Sequence, residues 1–479
     1  MNFEDGAPVT QTATRIEKDS MGEMSVPADV LYGATTQRAL LNFPIKELPV
    51  SWEVIHAFAL LKKSAAQANH ALGKMEEPIC TLICAACDEI SQALEDSSRR
   101  GDMMRHFPVD VFQTGSGTST NMNVNEVISN LACLSAGAEI GAQDPVHPND
   151  HVNMGQSSND TFPTAMHVSS CIRMTDGLLP ALEVLGKSLE NKADQFEHLV
   201  KIGRTHLQDA TPIRLGQEFS GFARQLKNAL VRTRASIDCL AGNLAIGGTA
   251  VGTGINTQPD FAATACRHLN QLTGLRFMPA DNYFAAISSQ DTAVEVSGHL
   301  NTLAVSLMKI CNDLRWMNSG PLTGLGEIAL DKLQAGSSIM PGKVNPVIPE
   351  ALAMVCAQVM GYHQSITIAG QSGNFQLNTM LPLVGYNLLT SISILSNGIN
   401  ALTHKAIVTM RANSDRMAES ISMNPILVTA LNSRVGYEKG ALIAKAAYEE
   451  KRPVIDIATQ MTDIPREELE KLLAPKSMT

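Results

Sequence analysis

The sequence predicts a mainly α-helical protein with a central bundle of five long helices and smaller domains at each end. Two observations carry this. Apolar residues recur at alternating steps of four and three, as in Val296, Leu300, Leu303, Leu307, Ile310, Leu314 and Met317. Leu388, Ile392, Leu395, Ile399 and Leu402 do the same, and Leu215, Phe219, Phe222 and Leu226 begin likewise. That spacing lays one narrow apolar stripe along a helix, and such helices pack nearly parallel in bundles. Aromatic residues make up only 4% of the 479, so the core relies on Leu, Ile, Val, Met and Ala, a mix that favours helices over sheets.

The elements follow in order. Residues 1–155 form an N-terminal domain of shorter helices and loops. Within it, residues 51–98 read as two helices broken near 73–78, where Gly73 and Pro78 sit. The turn-rich stretch 113–120 leads into a helical run at 121–137, and a second loop spans 143–153. Residues 156–410 form the central bundle. The run 161–199 is helical with a bend expected at Gly177 and Pro180, and a further helix fits 348–362. These helices carry more apolar surface than one five-helix unit hides, which implies an oligomer. Residues 411–479 form a small C-terminal domain of shorter helices, and from Glu438 onward no chemistry can be read.

Composition narrows the function. Hydrophobic content of 44% with 18% charged residues reads as soluble and globular, and no apolar run reaches membrane-span length. A formal charge of −10 argues against nucleic acid as a partner. An anionic substrate would therefore need positive potential created locally. The N-terminus, with acidic residues early and no apolar core, reads as neither a secretory signal nor a transit peptide. Nine scattered cysteines indicate a reducing compartment, taken as the cytoplasm. Cys80, Cys84 and Cys87 share one helix face and read as core packing rather than cluster ligands. No metal spacing, Walker loop or dinucleotide fingerprint is present, so no cofactor is expected.

Four segments share one polar vocabulary. Gly336 to Pro346, GSSIMPGKVNP, packs glycines, prolines, Ser337, Ser338, Lys343 and Asn345 into a loop. Freed backbone amides, two hydroxyls and an ammonium suit an oxyanion. Thr114 to Asn121 places Ser116, Gly117 and Thr118 just before a helix, which suits a carboxylate or serves as a plain capped turn. Gln156 to Asp160 includes Ser157, Ser158 and Asn159 at the start of the long bent helix. One cap needs one such residue, so capping by Ser158 or Asn159 and ligand binding both stay open. Gly203 to Pro212 carries Thr205 and His206 in a loop before a helix that Pro212 would initiate. Histidine moves protons near neutrality. Glu350, seven residues after Lys343, is either a helix-dipole partner or the group that orients a histidine.

These segments resemble the fumarase/aspartase superfamily. GSSIMPGKVNP at 336–346 is similar to its signature loop. TGSGTSTNMNVNEV at 114–127, VHPNDHVN at 146–153, QSSND at 156–160, GRTHLQDATP at 203–212 and GGTAVGTGIN at 247–256 resemble class II fumarases in particular. The match begins at IEKDSMGEMSVPADVLYGA and runs nearly the whole chain. Aspartate ammonia-lyase is the alternative; His206, His147 and Ser158 stand where that enzyme typically has Gln, Asn and Thr. LQAGSSIMP, PVIPE and Gln376 read closer to aspartase.

The resemblance implies reversible hydration of fumarate to L-malate through an aci-carboxylate intermediate, in a homotetramer whose sites each draw on three subunits. It implies Ser337 as the base, His206 as the acid/base on the hydroxyl side and Glu350 as the group that orients the imidazole. Ser116, Gly117, Thr118, Ser157, Ser158, Asn159, Thr205, Ser338, Lys343, Val344 and Asn345 are the implied substrate contacts. His147, Pro148, Asn149 and Asp150 match a second anion-binding region, which the acidic Asp144 should weaken.

Overall fold

The computed structural model describes residues 13–479; the N-terminal stretch read for targeting signals lies mostly outside them. The chain opens with a hairpin of β1 (Thr14–Asp19) and β2 (Gly22–Pro27), followed by α1 (Ala34–Asn42), α2 (Trp52–Ala71), α3 (Glu77–Glu95), α4 (Arg100–Met104) and α5 (Thr118–Ser135). Then come α6 (Ser158–Arg173), α7 (Leu179–Gln195), the hairpin β3 (Val200–Thr205) and β4 (Gln208–Arg214), and α8 (Leu215–Ala241). Next are α9 (Phe261–Thr273), α10 (Tyr283–Ser288), α11 (Asp291–Met317), α12 (Val347–Gly370) and α13 (Leu381–Leu402). The tail holds α14 (Ser414–Ser422), α15 (Asn432–Val435), α16 (Tyr437–Glu450), α17 (Val454–Met461) and α18 (Arg466–Leu472). The protein is mostly helical, as expected, and among the described residues its strands pair only as two-stranded antiparallel ribbons.

The apolar stripes read from the sequence are all buried: each of the named positions on α8, α11 and α13 is at most 2% exposed. Each such side chain contributes roughly 1.5–3 kcal/mol by leaving water. On α8, Phe219 meets Phe222 edge-on with ring centroids 5.4 Å apart. Cys80 and Cys87 are buried on α3, with the sulfur of half-buried Cys84 3.9 Å from that of Cys80.

Local chemistry sets the breaks. α2 gives way to Gly73 in the left-handed region (φ 70°), and Pro78 sits in the first turn of α3, where its missing N–H costs nothing. Between α6 and α7, where the sequence predicts a bend, the helix carries a single π-helical turn, Met174–Leu178, that contains Gly177.

The chain divides into two compact units. One comprises residues 13–178, 233–301 and 359–393; the other comprises 179–232, 302–358 and 394–479. The division falls within α8, α11, α12 and α13, so each of these helices contributes to both. In the second unit the chain end has its own core, with Leu431, Ile443, Ile457 and Leu469 fully buried or nearly so.

Two expectations are corrected here. The segment around His206 is a β-hairpin, and Pro212 lies in β4 opposite Ile202 instead of starting a helix. α8 begins three residues later, at Leu215. A proline fits because a two-stranded ribbon leaves one side of each strand without a ladder partner. The cap of α6 is Ser157, not Ser158 or Asn159: its hydroxyl accepts from the Asn159 amide (3.2 Å), and Asp160 accepts from the Ser157 amide (2.9 Å). The third-position carboxylate of the reciprocal pair fixes which residue starts the helix.

The β3–β4 hairpin stands on a charged base. Buried Lys201 pairs with Glu218 (2.6 Å) and Glu327 (2.8 Å), and Arg204 donates to Glu327 (2.7 Å). Glu327 is 4% exposed. Removing one partner of a buried pair costs about 3–5 kcal/mol, and the part-exposure of Arg204 lowers that to about 2–3 kcal/mol for Glu327→Ala. The expected outcome is a lower urea midpoint; an unchanged midpoint would show that the network does not support the hairpin.

Candidate active site

In the first unit the hydroxyl segments converge. Gly117, left-handed at φ 74°, turns the chain into α5, and a Cβ there would come within 2.1 Å of the Phe162 ring. Only glycine fits so close an approach. The turn brings three hydroxyls into a chain: Ser116 Oγ lies 2.8 Å from Thr118 Oγ1, which lies 2.6 Å from Ser158 Oγ at the start of α6. Thr118, Ser157 and Ser158 line a cavity of about 450 Å³ with Asn121, Asn149 and Asn153. Asn159 points elsewhere, and its amide donates to the Ala250 carbonyl (2.7 Å). The cavity is thus walled by neutral donors at two helix starts, which suits a carboxylate.

One carboxylate holds this wall. Asp160 is fully buried and accepts from the amides of Ser157 (2.9 Å), Thr249 (2.8 Å) and Gly247 (3.1 Å). It ties the start of α6 to the GGTA segment. Burial pushes its carboxyl up to about 6, against those three N–H groups and the positive charge of Lys62.

The second anion region is a separate single turn, Pro148–Val152, capped by His147. The His147 Nδ1 accepts from the Asn149 and Asp150 amides (3.2 and 3.1 Å), so that nitrogen is occupied locally. Asn149 reaches the hydroxyl cavity, while Asp150 is exposed.

In the second unit the loop 336–346 closes on itself. Asn345 donates to the Gly336 carbonyl (2.8 Å) across its base, and Lys343 donates to Asn345 Oδ1 (2.9 Å). Gly336 must be glycine, since a Cβ would come within 2.0 Å of the Lys343 carbonyl oxygen. The Ser337 hydroxyl accepts from the backbone amides of Met340 (3.0 Å) and Ile339 (3.3 Å). Two donors aimed at one hydroxyl oxygen are what a serine needs to carry negative charge. Ser338 is exposed. Lys343, Val344, Asn345 and Glu350 line a second cavity, about 610 Å³, with Arg315 and Asn413.

Thr205 and His206 are exposed at the tip of the β3–β4 hairpin. His206 (φ 56°) and Leu207 (φ 59°) are both left-handed in a two-residue turn. Asn-Gly is the usual choice there; a histidine and a leucine accept strain. Among the described residues of one chain, no hydrogen bond joins His206 to Glu350.

Sequence reasoning missed several members. Asn121 carried a signal, because TNMNVN sets three asparagines two apart at a helix start, too many for a solvated face; Asn153, the last residue of VHPNDHVN, carried none of its own. Lys62 carried one too: it falls on the apolar stripe of α2 with Phe58, Ala65 and Ala66. Glu327 and Lys201 carried none, because their pairing spans over a hundred residues.

Residues 22–361 match the family described as Lyase, and residues 427–479 match Fumarase C C-terminus. The chain is 53% identical over 468 residues to fumarate hydratase class II 2 of Pseudomonas aeruginosa, covering 98% of this chain and 99% of that one. It is 46% identical over 473 residues to the human mitochondrial fumarate hydratase, covering 98% and 90%. The crystal structure of a class II fumarase from Schistosoma mansoni superposes with a TM-score of 0.93 at 37% identity, covering 97% of this chain and 99% of that one. These findings place the helical fold in the lyase class. Within that class, the chain belongs to the class II fumarate hydratase family.

Asn345→Ala removes the bond that closes the loop 336–346 without touching the core. The expected outcome is faster proteolysis within 336–346 and a melting temperature unchanged within about 2 °C, since surface changes usually stay within ±0.5 kcal/mol. Equal protease resistance would show that the loop is held otherwise.

Proposed function

We propose that this chain hydrates fumarate to L-malate reversibly, without a cofactor, by acid/base catalysis through an aci-carboxylate intermediate. The observation that carries the reading is the pair of backbone amides aimed at the Ser337 oxygen. In malate the proton to be removed lies beside a carboxylate and is very weakly acidic. Its removal piles charge onto that carboxylate, so the catalyst needs a strong base and fixed donors. Ser337 takes the proton as an alkoxide stabilised by the Ile339 and Met340 amides. Lys343, Asn345 and Ser338 receive the charge building on the aci-carboxylate, with Val344 beside them. His206, on the opposite side, protonates the departing hydroxyl or activates water in the reverse direction. Glu350 holds the other imidazole nitrogen. Ser116, Gly117, Thr118, Ser157, Ser158 and Thr205 bind the second carboxylate and the water, and Asn159 joins them once its amide turns from the Ala250 carbonyl.

The reading places the active form as a homotetramer in which each site draws on three subunits, as in the family it resembles. Val305, Met354 and Ile368, exposed on α11 and α12, support copies covering those helices. The division into domains at about 155 and 410 belongs to the same reading, as does the weak second anion site at His147, Pro148, Asn149 and Asp150. Nine cysteines, none in a disulfide, support a reducing compartment, taken as the cytoplasm. Among the described residues no helix is long and apolar enough to cross a membrane.

The direct test follows fumarate absorbance with malate and then with aspartate as sole substrate. Fumarate from malate is expected; fumarate from aspartate alone would make the chain an ammonia-lyase. Ser337→Ala is expected to cut kcat by about 10²–10⁴-fold with the oligomer intact by light scattering. Activity near wild type would place the base elsewhere. For His206→Asn a loss of at least about 10²-fold in kcat and a changed pH profile are expected. An unaltered rate and profile would remove histidine from the acid/base role.

A further inference from the structure

Lys62 is 0% exposed in the middle of α2, a lysine among Phe58, Leu61, Ala65 and Ala66. Its ammonium donates to Asn121 Oδ1 (2.8 Å) and Asn153 Oδ1 (3.0 Å). Among the described residues no carboxylate lies within ion-pairing distance of it. The nearby Asp160 spends its oxygens on the three backbone amides of Ser157, Gly247 and Thr249.

A buried cation held only by neutral oxygens is a poor way to stabilise a fold. Structural lysines at such depth are paired with a carboxylate, as Lys201 is with Glu218 and Glu327. What distinguishes Lys62 is where its two partners sit. Asn121 and Asn153 both line the hydroxyl cavity with Thr118 and Ser158. An ammonium only donates, so it locks each amide with the oxygen inward. Asn153 Oδ1 accepts further from the amides of Asn121 (3.1 Å) and Asn125 (3.2 Å), which completes the lock. The ammonium, with no carboxylate in direct contact, then lies one side chain below the cavity, where low dielectric carries its field further than in water. A chain of formal charge −10 needs such a source to hold a dianion.

We propose that Lys62 is a positioning residue that orients Asn121 and Asn153 and supplies the positive potential by which the hydroxyl cavity holds the non-reacting carboxylate of the substrate. The role rests on the fumarate hydratase reading. Burial draws the ammonium down to about 7, even with the charge of Asp160 working against that fall. A bound carboxylate would favour the charged form further.

The test uses the full-length protein, with Lys62→Met, Lys62→Gln and Lys62→Arg beside wild type. Two quantities are measured: succinate binding by calorimetry, which needs no turnover, and fumarate kinetics. For Lys62→Met the expected results are succinate affinity weaker by at least about tenfold, KM for fumarate raised to match, and kcat within about threefold, the pattern of an interaction equal in ground and transition states. Lys62→Arg, which keeps the charge, is expected to recover most of the affinity. Lys62→Gln serves where the methionine variant does not fold. A folded Lys62→Met or Lys62→Gln that binds succinate within twofold of wild type overturns the proposal. So does a Lys62→Arg variant as weak as Lys62→Met, which would make the effect one of shape. Wild-type protein that binds succinate in a Lys62-dependent way but does not turn over fumarate would sink the hydratase reading and leave the lysine's role standing.

Discussion

The first unit depends on one buried carboxylate. Asp160 accepts three backbone N–H groups, from Ser157 at one oxygen and from Gly247 and Thr249 at the other, so the isosteric asparagine, with a single acceptor oxygen, could not replace it. Through it the start of α6 is fixed against the GGTA segment, and Ser157 and Ser158 gain a defined place beside Thr118. Its desolvation is costly, as the raised carboxyl shows, and the fold accepts that cost where small donors must be held to within a few tenths of an ångström.

The same logic recurs in the second unit on a different scaffold. The loop 336–346 has almost no regular structure, yet it is closed by Asn345 on Gly336 and turned so that two amides face Ser337. The β3–β4 hairpin holds strained residues at its tip and is anchored at its base by Lys201, Arg204 and Glu327. In each case an irregular or strained segment presents the serine or the histidine, and a polar contact behind it limits where that side chain can go. An acidic protein that acts on an anion needs this arrangement, because its overall field opposes the substrate and only local donors can reverse that.

The long helices were legible because their information is local and periodic. Every stripe position on α8, α11 and α13 is buried, and the interruption near Gly177 fell within the expected stretch. The hairpin was not legible. GRTHLQDATP lacks the Asn-Gly turn that marks a two-residue connection, and a proline in β4 argued for a helix start. His206 and Leu207 both take left-handed backbone that such residues rarely adopt, so their side chains gave no sign of the turn.

The sequence by itself determined the helical class, the polar loops and which residues have the chemistry to bind a dicarboxylate. Side-chain type and helical period act over a few residues, and both are written directly in the chain. Only the tertiary structure decided which hydroxyls touch, that Asp160 ties the α6 start to the GGTA segment, and that Lys62 lies beneath Asn121 and Asn153. Those facts depend on segments tens to hundreds of residues apart meeting in a desolvated interior. There a charge must find a partner or serve a ligand, and no local pattern encodes which.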